Sequence, residues 1–460
     1  MAITNTPTEQ IVRIVSAQRA FFRSGQTLDI EYRLSALRAL KAALKKWEKP
    51  LAEALWKDLH KSYEEAYLTE LSIVLGEIDN HISHLKGWAS PKRCSTPLKM
   101  FPSRSKTISE PLGCSLIVAP WNYPVQLLLN PLVGAISAGC TAILKPSPYV
   151  ESVSKVIEEL IRETFNENYI AVVQGNRDVN TALLEQRYDL IFFTGSPSLG
   201  RKVMAAASKN LTPVVLELGG KSPCIVDSSA NIATIARRIA WGKSLNAGQT
   251  CIAPDYLLVH KSVKSQLIEA LGREFRSLLG ENPKQCNHFV RIVNDKAFDR
   301  LVGYLEGADI VFGGEYDKAE RFIAPTIVDN VNPDSPIMQE EIFGPIFPVV
   351  TFEDIAEAVE FVTKREKPLA LYYFGDDKSA KYVLKHTSSG GACVNDTIMH
   401  IANERLPFGG VGNSGISSYH GIESFKVFSH RRAVVTTPTW IDIPFRYMPY
   451  KMFSLVKKLL

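Results

Sequence analysis

Three residues have the type and setting for covalent chemistry. Cys251 ends the polar stretch Asn246-Ala247-Gly248-Gln249-Thr250-Cys251, just past a helix expected from Ile232 to Leu245. A free thiol, with a pKa near roughly 8.5, is only a few per cent thiolate at neutral pH, so a nucleophilic role needs a base or local positive potential. Most single cysteines are inert small hydrophobes, a reading that the glycine and polar neighbours of this one weaken. Glu217 closes an apolar strand expected from Pro213 to Leu216 and is followed by Leu218-Gly219-Gly220-Lys221. A carboxylate at a strand end beside glycines lies where α/β sheets place reactive groups; the competing reading is a salt-bridged edge residue. Asn122 stands between Trp121 and Tyr123, framed by Pro120 and Pro124, on a loop directly after an apolar strand. Its amide could donate to a developing oxyanion or cap the helix that follows.

Phosphate-binding signals are of unequal weight. Gly410-Val411-Gly412-Asn413-Ser414-Gly415 matches G-x-G-x-x-G by letter but follows Pro407-Phe408 instead of a strand, and Gly220-Lys221-Ser222 lacks the first glycine of a P-loop because position 215 is Val215. Phe193-Thr194-Gly195-Ser196-Pro197-Ser198-Leu199-Gly200 has the required order of strand, glycine turn and helix, the helix being expected from Arg201 to Ser208. Such a helix start exposes unpaired backbone N–H groups and the positive end of a dipole. An ordinary structural turn is the alternative.

The elements that must position these residues are legible in the periodicity. From Ile30 to His60, Leu34, Leu37, Leu40, Leu44, Trp47, Leu51, Leu55 and Leu59 recur at helical spacing. After Pro111 the texture changes to short apolar runs, Cys114 to Ala119, Thr141 to Leu144, Ile170 to Val173 and Leu190 to Phe193, spaced widely enough for helices. A second series runs through Cys224 to Val226, Tyr256 to Val259, Ala308 to Phe312, Phe347 to Phe352 and Leu369 to Phe374. Alternating strands and helices imply parallel sheets, so two α/β domains are expected, meeting near Leu218-Gly219-Gly220.

Composition narrows the class. A chain of 460 residues with 45% apolar and 22% charged residues has the make-up of a globular, multi-domain enzyme. Seven cysteines, none at zinc or redox spacing, form neither a disulfide framework nor a metal site. The first apolar stretch is broken by Arg13 and Arg19, so no signal sequence is read and a cytoplasmic location is expected. Leu127 to Leu144 is apolar but holds Asn130, Pro131, Gly134, Ser137 and Gly139, which predicts a buried helix leading into a strand. Residues 431 to 460 carry six cations against Asp442, which accounts for the whole net charge of +5. The remainder is neutral, which argues against a nucleic-acid partner.

Taken together, several blocks resemble the aldehyde dehydrogenase superfamily. They are Pro120-Trp121-Asn122-Tyr123-Pro124, Leu144-Lys145-Pro146-Ser147, Phe193-Thr194-Gly195-Ser196, Leu216-Glu217-Leu218-Gly219-Gly220-Lys221, Gly248-Gln249-Thr250-Cys251, Glu340-Glu341-Ile342-Phe343-Gly344-Pro345 and Leu406 to Gly415. Asp58-Leu59-His60-Lys61, Ser418-Tyr419-His420-Gly421 and Phe428-Ser429-His430-Arg431-Arg432 resemble its class 3 and fatty aldehyde dehydrogenase branch. The resemblance implies two Rossmann-like parallel-sheet domains, cofactor-binding and catalytic, with a small oligomerisation β-element. Residues 1–94 and 112–217 would bind the dinucleotide, 218–402 would be catalytic, 95–111 and 403–445 would bridge subunits of a homodimer, and 446–460 would be a basic tail.

The same resemblance implies roles. Cys251 would attack an aldehyde, Asn122 and the Cys251 N–H would hold the oxyanion, and Glu217 would activate the water that hydrolyses a thioester. Lys145, Glu341, Phe343, Ser196, Gly195, Gly200 and Trp121 would hold NAD and/or NADP. Where related enzymes often carry a ribose-binding glutamate three residues after the lysine, this chain has Pro148; NADP should then be tolerated alongside NAD, unless Glu151 substitutes. Tyr123, Trp241 and His420 are candidates for a pocket taking hydrophobic aldehydes, although aromatic residues are more often core. The tail mixes cations with apolar groups, fitting either a partner subunit or peripheral contact with an anionic membrane. A coenzyme A-acylating enzyme and a cysteine esterase without redox turnover are the alternatives; relatives of the first commonly lack the water-activating glutamate, so Glu217 counts against it.

Overall fold

Two parallel sheets organise the chain, whose computed structural model describes residues 4–442, 444–450, 453, 454 and 457. The first sheet has the parallel order Val214–Leu218, Leu190–Gly195, Cys114–Val118, Thr141–Lys145, Ile170–Val172. The chain lays down Cys114–Val118 first and works outward to one side, then returns to the other side with Leu190–Gly195. The loops after those two strands therefore diverge and leave a crevice at their carboxyl ends. These strands are near-continuously apolar because helices cover both faces. The apolar stretch after them is the helix Gln126–Ala138, buried at every residue, which ends at the left-handed Gly139 (φ 93°) and feeds Thr141–Lys145.

The chain changes sheets at Gly219-Gly220. Strand Pro223–Val226 begins the second sheet, whose parallel order is Thr326–Asp329, Ile346–Phe352, Tyr256–His260, Pro223–Val226, Ala370–Phe374, Gly391–Val394. A Cβ on Gly219 would lie 2.1 Å from a carboxylate oxygen of Glu341, so glycine here lets that carboxylate lie against the backbone. A third, antiparallel sheet pairs Arg104–Pro111 along its length with Ser429–Thr436 and carries Lys92–Cys94 on its other side.

The structure corrects the sequence reading at several points. The helix expected through Ile30 to His60 is two, Ile30–Lys46 and Glu48–Leu59, broken at Trp47 (φ −94°, ψ 8°). The leucine rhythm runs on because both halves bury their leucines in one core. Asp309–Phe312, expected in the parallel series, is an antiparallel edge strand with three exposed residues. Thr326–Asp329 and Gly391–Val394 were not expected: the first has only two apolar residues between Thr326 and Asp329, and the second opens on a glycine and is only partly buried, so neither reads as an apolar run.

The G-x-G-x-x-G match is a tight turn. A Cβ on Gly410 would lie 2.1 Å from the Ser414 carbonyl oxygen, and Gly415–Ile416 pairs antiparallel with Val214–Leu218 of the first sheet. Lys221 is a strut, not part of a phosphate loop: its ammonium donates to Asp255 and to the carbonyls of Ile337 and Glu340. Among the described residues no helix is long and apolar enough to cross a membrane.

Candidate active site

The crevice of the first sheet receives the loop that carries Asn122, and it does not cap a helix. The amide Nδ2 donates to the Gln249 carbonyl at 3.0 Å, while the helix starting at Gln126 has no side-chain cap on its own N-cap residue, Val125. An amide nitrogen has two protons; one is fixed on Gln249, which orients the other. Asn122 Oδ1 is buried without a partner.

The loop carrying Cys251 is tied to this one from the other side. Asn246 and Ala247 are held in the left-handed region (φ 52° and 51°), a strained conformation for residues with side chains. Asn246 Nδ2 bridges the carbonyls of Asn122 (3.1 Å) and Gln249 (2.9 Å). Gln249 Nε2 donates to the Asn246 and Arg291 carbonyls, and its Oε1 accepts from Val293 N, so the side chain is fully spent on the loop. The Tyr123 hydroxyl lies 2.7 Å from Thr250 Oγ1. Burial pushes the Cys251 thiol well above the ordinary thiol range, and ionisation of Glu341 or Glu217, near enough to act on it, would raise it further.

Glu217 lies inside strand Val214–Leu218, one residue longer at its end than expected, and opposite Gly415 of the added strand. It is neither edge residue nor ion-pair member: it is 2% exposed and both carboxylate oxygens lack any hydrogen-bond partner. Such a group holds its proton, because burial disfavours the charged form; its pKa stands well above the usual carboxylate range. A buried, unpartnered carboxyl near a partly exposed thiol is costly for a fold and useful for proton transfer.

The residues expected at a cofactor fall along the same crevice. Ser196 is the N-cap of helix Pro197–Ser208, its Oγ accepting from Leu199 N, and that helix start is open to solvent at Ser196 and Ser198. Gly195 ends the preceding strand, and a Cβ on Gly200 would stand 2.8 Å from Leu218 Cδ2, so glycine lets helix and sheet close up. Lys145, 1% exposed, ends its strand with its ammonium donating only to the Pro146 carbonyl at 2.7 Å, and burial brings its pKa down to about 8. Glu341 is pushed up to about 8, first by burial and then by Asp255. Phe343 takes φ 52° and meets Trp121 edge-on at 5.4 Å between ring centroids. Arg300, donating to the Glu341 and Ile342 carbonyls, fixes this segment, and a Cβ on Gly248 would strike the Gly344 carbonyl at 2.3 Å, so it abuts the thiol loop.

The pocket candidates are not brought together at an opening. Tyr123 is buried with its hydroxyl spent on Thr250 and Lys61 against its ring; Trp241 packs on helix Ile232–Ser244 against the core. His420 is buried, stacked on Phe408 at 5.4 Å, with Nε2 unpartnered. Pro148 precedes helix Glu151–Thr164, whose first turn is held instead by Asp58, accepting from Val153 N at 3.0 Å. Gln249 and Asn246, which lock the two loops, were read only as letters of a motif, since nothing in a linear sequence marks hydrogen bonds across 124 residues.

With this fold and site, the chain belongs to the aldehyde dehydrogenase family, whose model matches residues 1–434. It is 48% identical over 443 residues to 4,4'-diaponeurosporen-aldehyde dehydrogenase of Staphylococcus aureus, covering 95% of this chain and 96% of that protein. It is 42% identical to the dimeric NADP-preferring aldehyde dehydrogenase of Canis lupus familiaris, covering 96% and 98%. A structure described as the substrate-bound state of Staphylococcus aureus AldH superposes with a TM-score of 0.96 at 46% identity, covering 99% of both chains.

Proposed function

We propose that the protein oxidises hydrophobic aldehydes, medium or long-chain aliphatic or aromatic, to carboxylic acids with NAD and/or NADP. The observation that carries this reading is the buried, unpartnered Glu217 carboxyl near the partly exposed Cys251 thiol, with the Asn122 amide fixed between the two loops. The relative named for a diaponeurosporen aldehyde supports an apolar substrate. The dinucleotide fits the residues present: the buried Lys145 ammonium has two protons to spare for ribose hydroxyls, the open start of helix Pro197–Ser208 suits a diphosphate, and Glu341 lies above Gly219.

Cys251 Sγ bonds to the aldehyde carbon as its thiol proton leaves to water, and charge moves onto the carbonyl oxygen. There the free proton of Asn122 Nδ2 and the Cys251 N–H receive it, donors held in advance and so needing no reorganisation. NAD(P), held by Lys145, Ser196 and Glu341, would supply the hydride acceptor, and loss of hydride from that carbon leaves a thioester on Cys251. Glu217 takes a proton from water, the hydroxide adds to the thioester, and the C–S bond breaks to release the acid. Glu217 must be ionised for this, so turnover rises with pH through its raised pKa. Absorbance of reduced cofactor on mixing with a long-chain aldehyde tests the activity. Cys251→Ser should abolish it, and an unchanged rate would overturn the reading.

Pro148 stands where related enzymes often carry a ribose-binding glutamate, which supports use of both cofactors, with Asp58 and Glu151 the acids at the helix start that follows; a kcat/KM ratio strongly favouring NAD would contradict it. The protein works as a homodimer, a reading supported by the open edge of Ser429–Thr436, since an unpaired strand edge is a template for a second chain. Beyond it Trp440, Met448 and Phe453 are exposed beside Arg446 and Lys457; the rest of the basic run, including Lys451 and Lys458, lies outside the described residues. This tail packs on the partner subunit, with peripheral membrane contact the second reading, and the seven free thiols suit the cytoplasm.

A further inference from the structure

The loop that presents Asn122 is clamped by a buried ion pair to which the chemistry above gives no task. The side chains of Lys61 and Glu70 are both fully buried, with Nζ and Oε1 2.6 Å apart. Lys61 Nζ also donates to the Asn122 carbonyl at 3.0 Å and stands 4.2 Å over the ring of Tyr123. Glu70 Oε2 accepts from Val125 N at 2.8 Å and from Gln126 N at 3.4 Å. One pair thus grips the segment at the carbonyl of residue 122 and at the N–H groups of residues 125 and 126, and it supplies the cap that the helix Gln126–Ala138 lacks. The geometry of the grip depends on a single turn of π-helix, Tyr67–Leu71, which sets Glu70 into the interior; such turns recur at functional sites.

We infer that Lys61 and Glu70 are positioning residues that act through Asn122, holding its amide where the oxyanion forms. A buried ion pair gives little or no net stability over apolar side chains of similar size, so what this pair adds is placement. Lys61 takes one lone pair of the Asn122 carbonyl and Asn246 Nδ2 takes the other, leaving that peptide unable to rotate. Catalytic donors lose much of their effect when displaced by about 1 Å. The inference rests on the oxyanion role proposed for Asn122.

The test is a double-mutant cycle on kcat/KM for aldehyde oxidation, with Lys61→Met, Asn122→Ala and the pair of changes. Lys61→Met alone should lower kcat/KM about 10- to 100-fold with cofactor affinity unchanged, and in the Asn122→Ala background it should cost less than about threefold. An equal loss in both backgrounds, or no loss in either, overturns the inference. Failure of the oxyanion role would show separately, as an Asn122→Ala enzyme of undiminished rate. If Lys61→Met does not fold, Glu70→Gln, which keeps acceptors for the helix N–H groups and loses the charge, is run through the same cycle with the same two outcomes deciding.

Discussion

At the scale of single residues the site is defined by groups left unsatisfied. Glu217 has no partner for either oxygen and Asn122 Oδ1 has none, and Thr194 Oγ1, Asn246 Oδ1 and the Tyr419 hydroxyl are likewise buried without one. Glu217→Gln should still acylate but turn over about 10²–10⁴-fold more slowly, giving a single burst of reduced cofactor in rapid mixing and losing the rise of rate with pH. Asn122→Ala should lower kcat by about 10²–10³-fold. Stability carries an independent sign. A carboxyl whose pKa is raised by folding binds its proton more tightly folded than unfolded, so its contribution to stability falls as pH climbs from the ordinary carboxylate range to the raised value. Removing the charge at Glu217 should therefore raise the melting temperature at pH 7.5 and change it little near pH 4, by calorimetry. The reactive residue types and their loops were legible in the sequence. The locks were not: Lys61 stood only as one letter of a branch motif, and the hydrogen bonds that give it meaning span 61 residues.

At the scale of elements, periodicity was a good guide where burial was uniform and a poor one where a chain break preserved the rhythm. The largely apolar stretch Leu127 to Leu144 folds as the expected buried helix and strand. The helix at 30 to 60 hid its break because Trp47 kept the spacing of the leucines. Gly391–Val394 escaped because it opens on a glycine and is only partly buried, so it does not stand out as an apolar run. The order of strand, turn and helix at Leu190–Ser208 was legible but not its bounds: the strand runs two residues further, to Gly195, and the helix starts at Pro197, four residues before the expected Arg201, because Ser196 caps it. Gly200→Val should drive a methyl into Leu218, destabilise the fold by about 1–3 kcal/mol and weaken cofactor binding by tilting the helix start. Urea unfolding and a fluorescence titration with NADP check the two effects; full cofactor affinity would contradict the helix's part in binding.

At the scale of the whole molecule, net charge pointed to the tail and the sheets pointed to assembly. An exposed edge on Ser429–Thr436, with Val435 exposed on it, predicts that sedimentation velocity finds two 51.1 kDa chains together. Val435→Glu should shift that population toward single chains, and a wild-type monomer at micromolar concentration would contradict the dimer. Full-length and 446–460-truncated protein should pellet alike with anionic vesicles if the tail packs on the partner, and differ if it meets lipid.

The most direct test lies at the sulfur. Glu217→Gln protein, mixed with a long-chain aldehyde and NAD or NADP and quenched within one turnover, should show by mass spectrometry an added acyl group on the peptide that carries Cys251, in step with reduced cofactor. An acyl group on another side chain, or reduced cofactor formed with no adduct at all, would contradict the account.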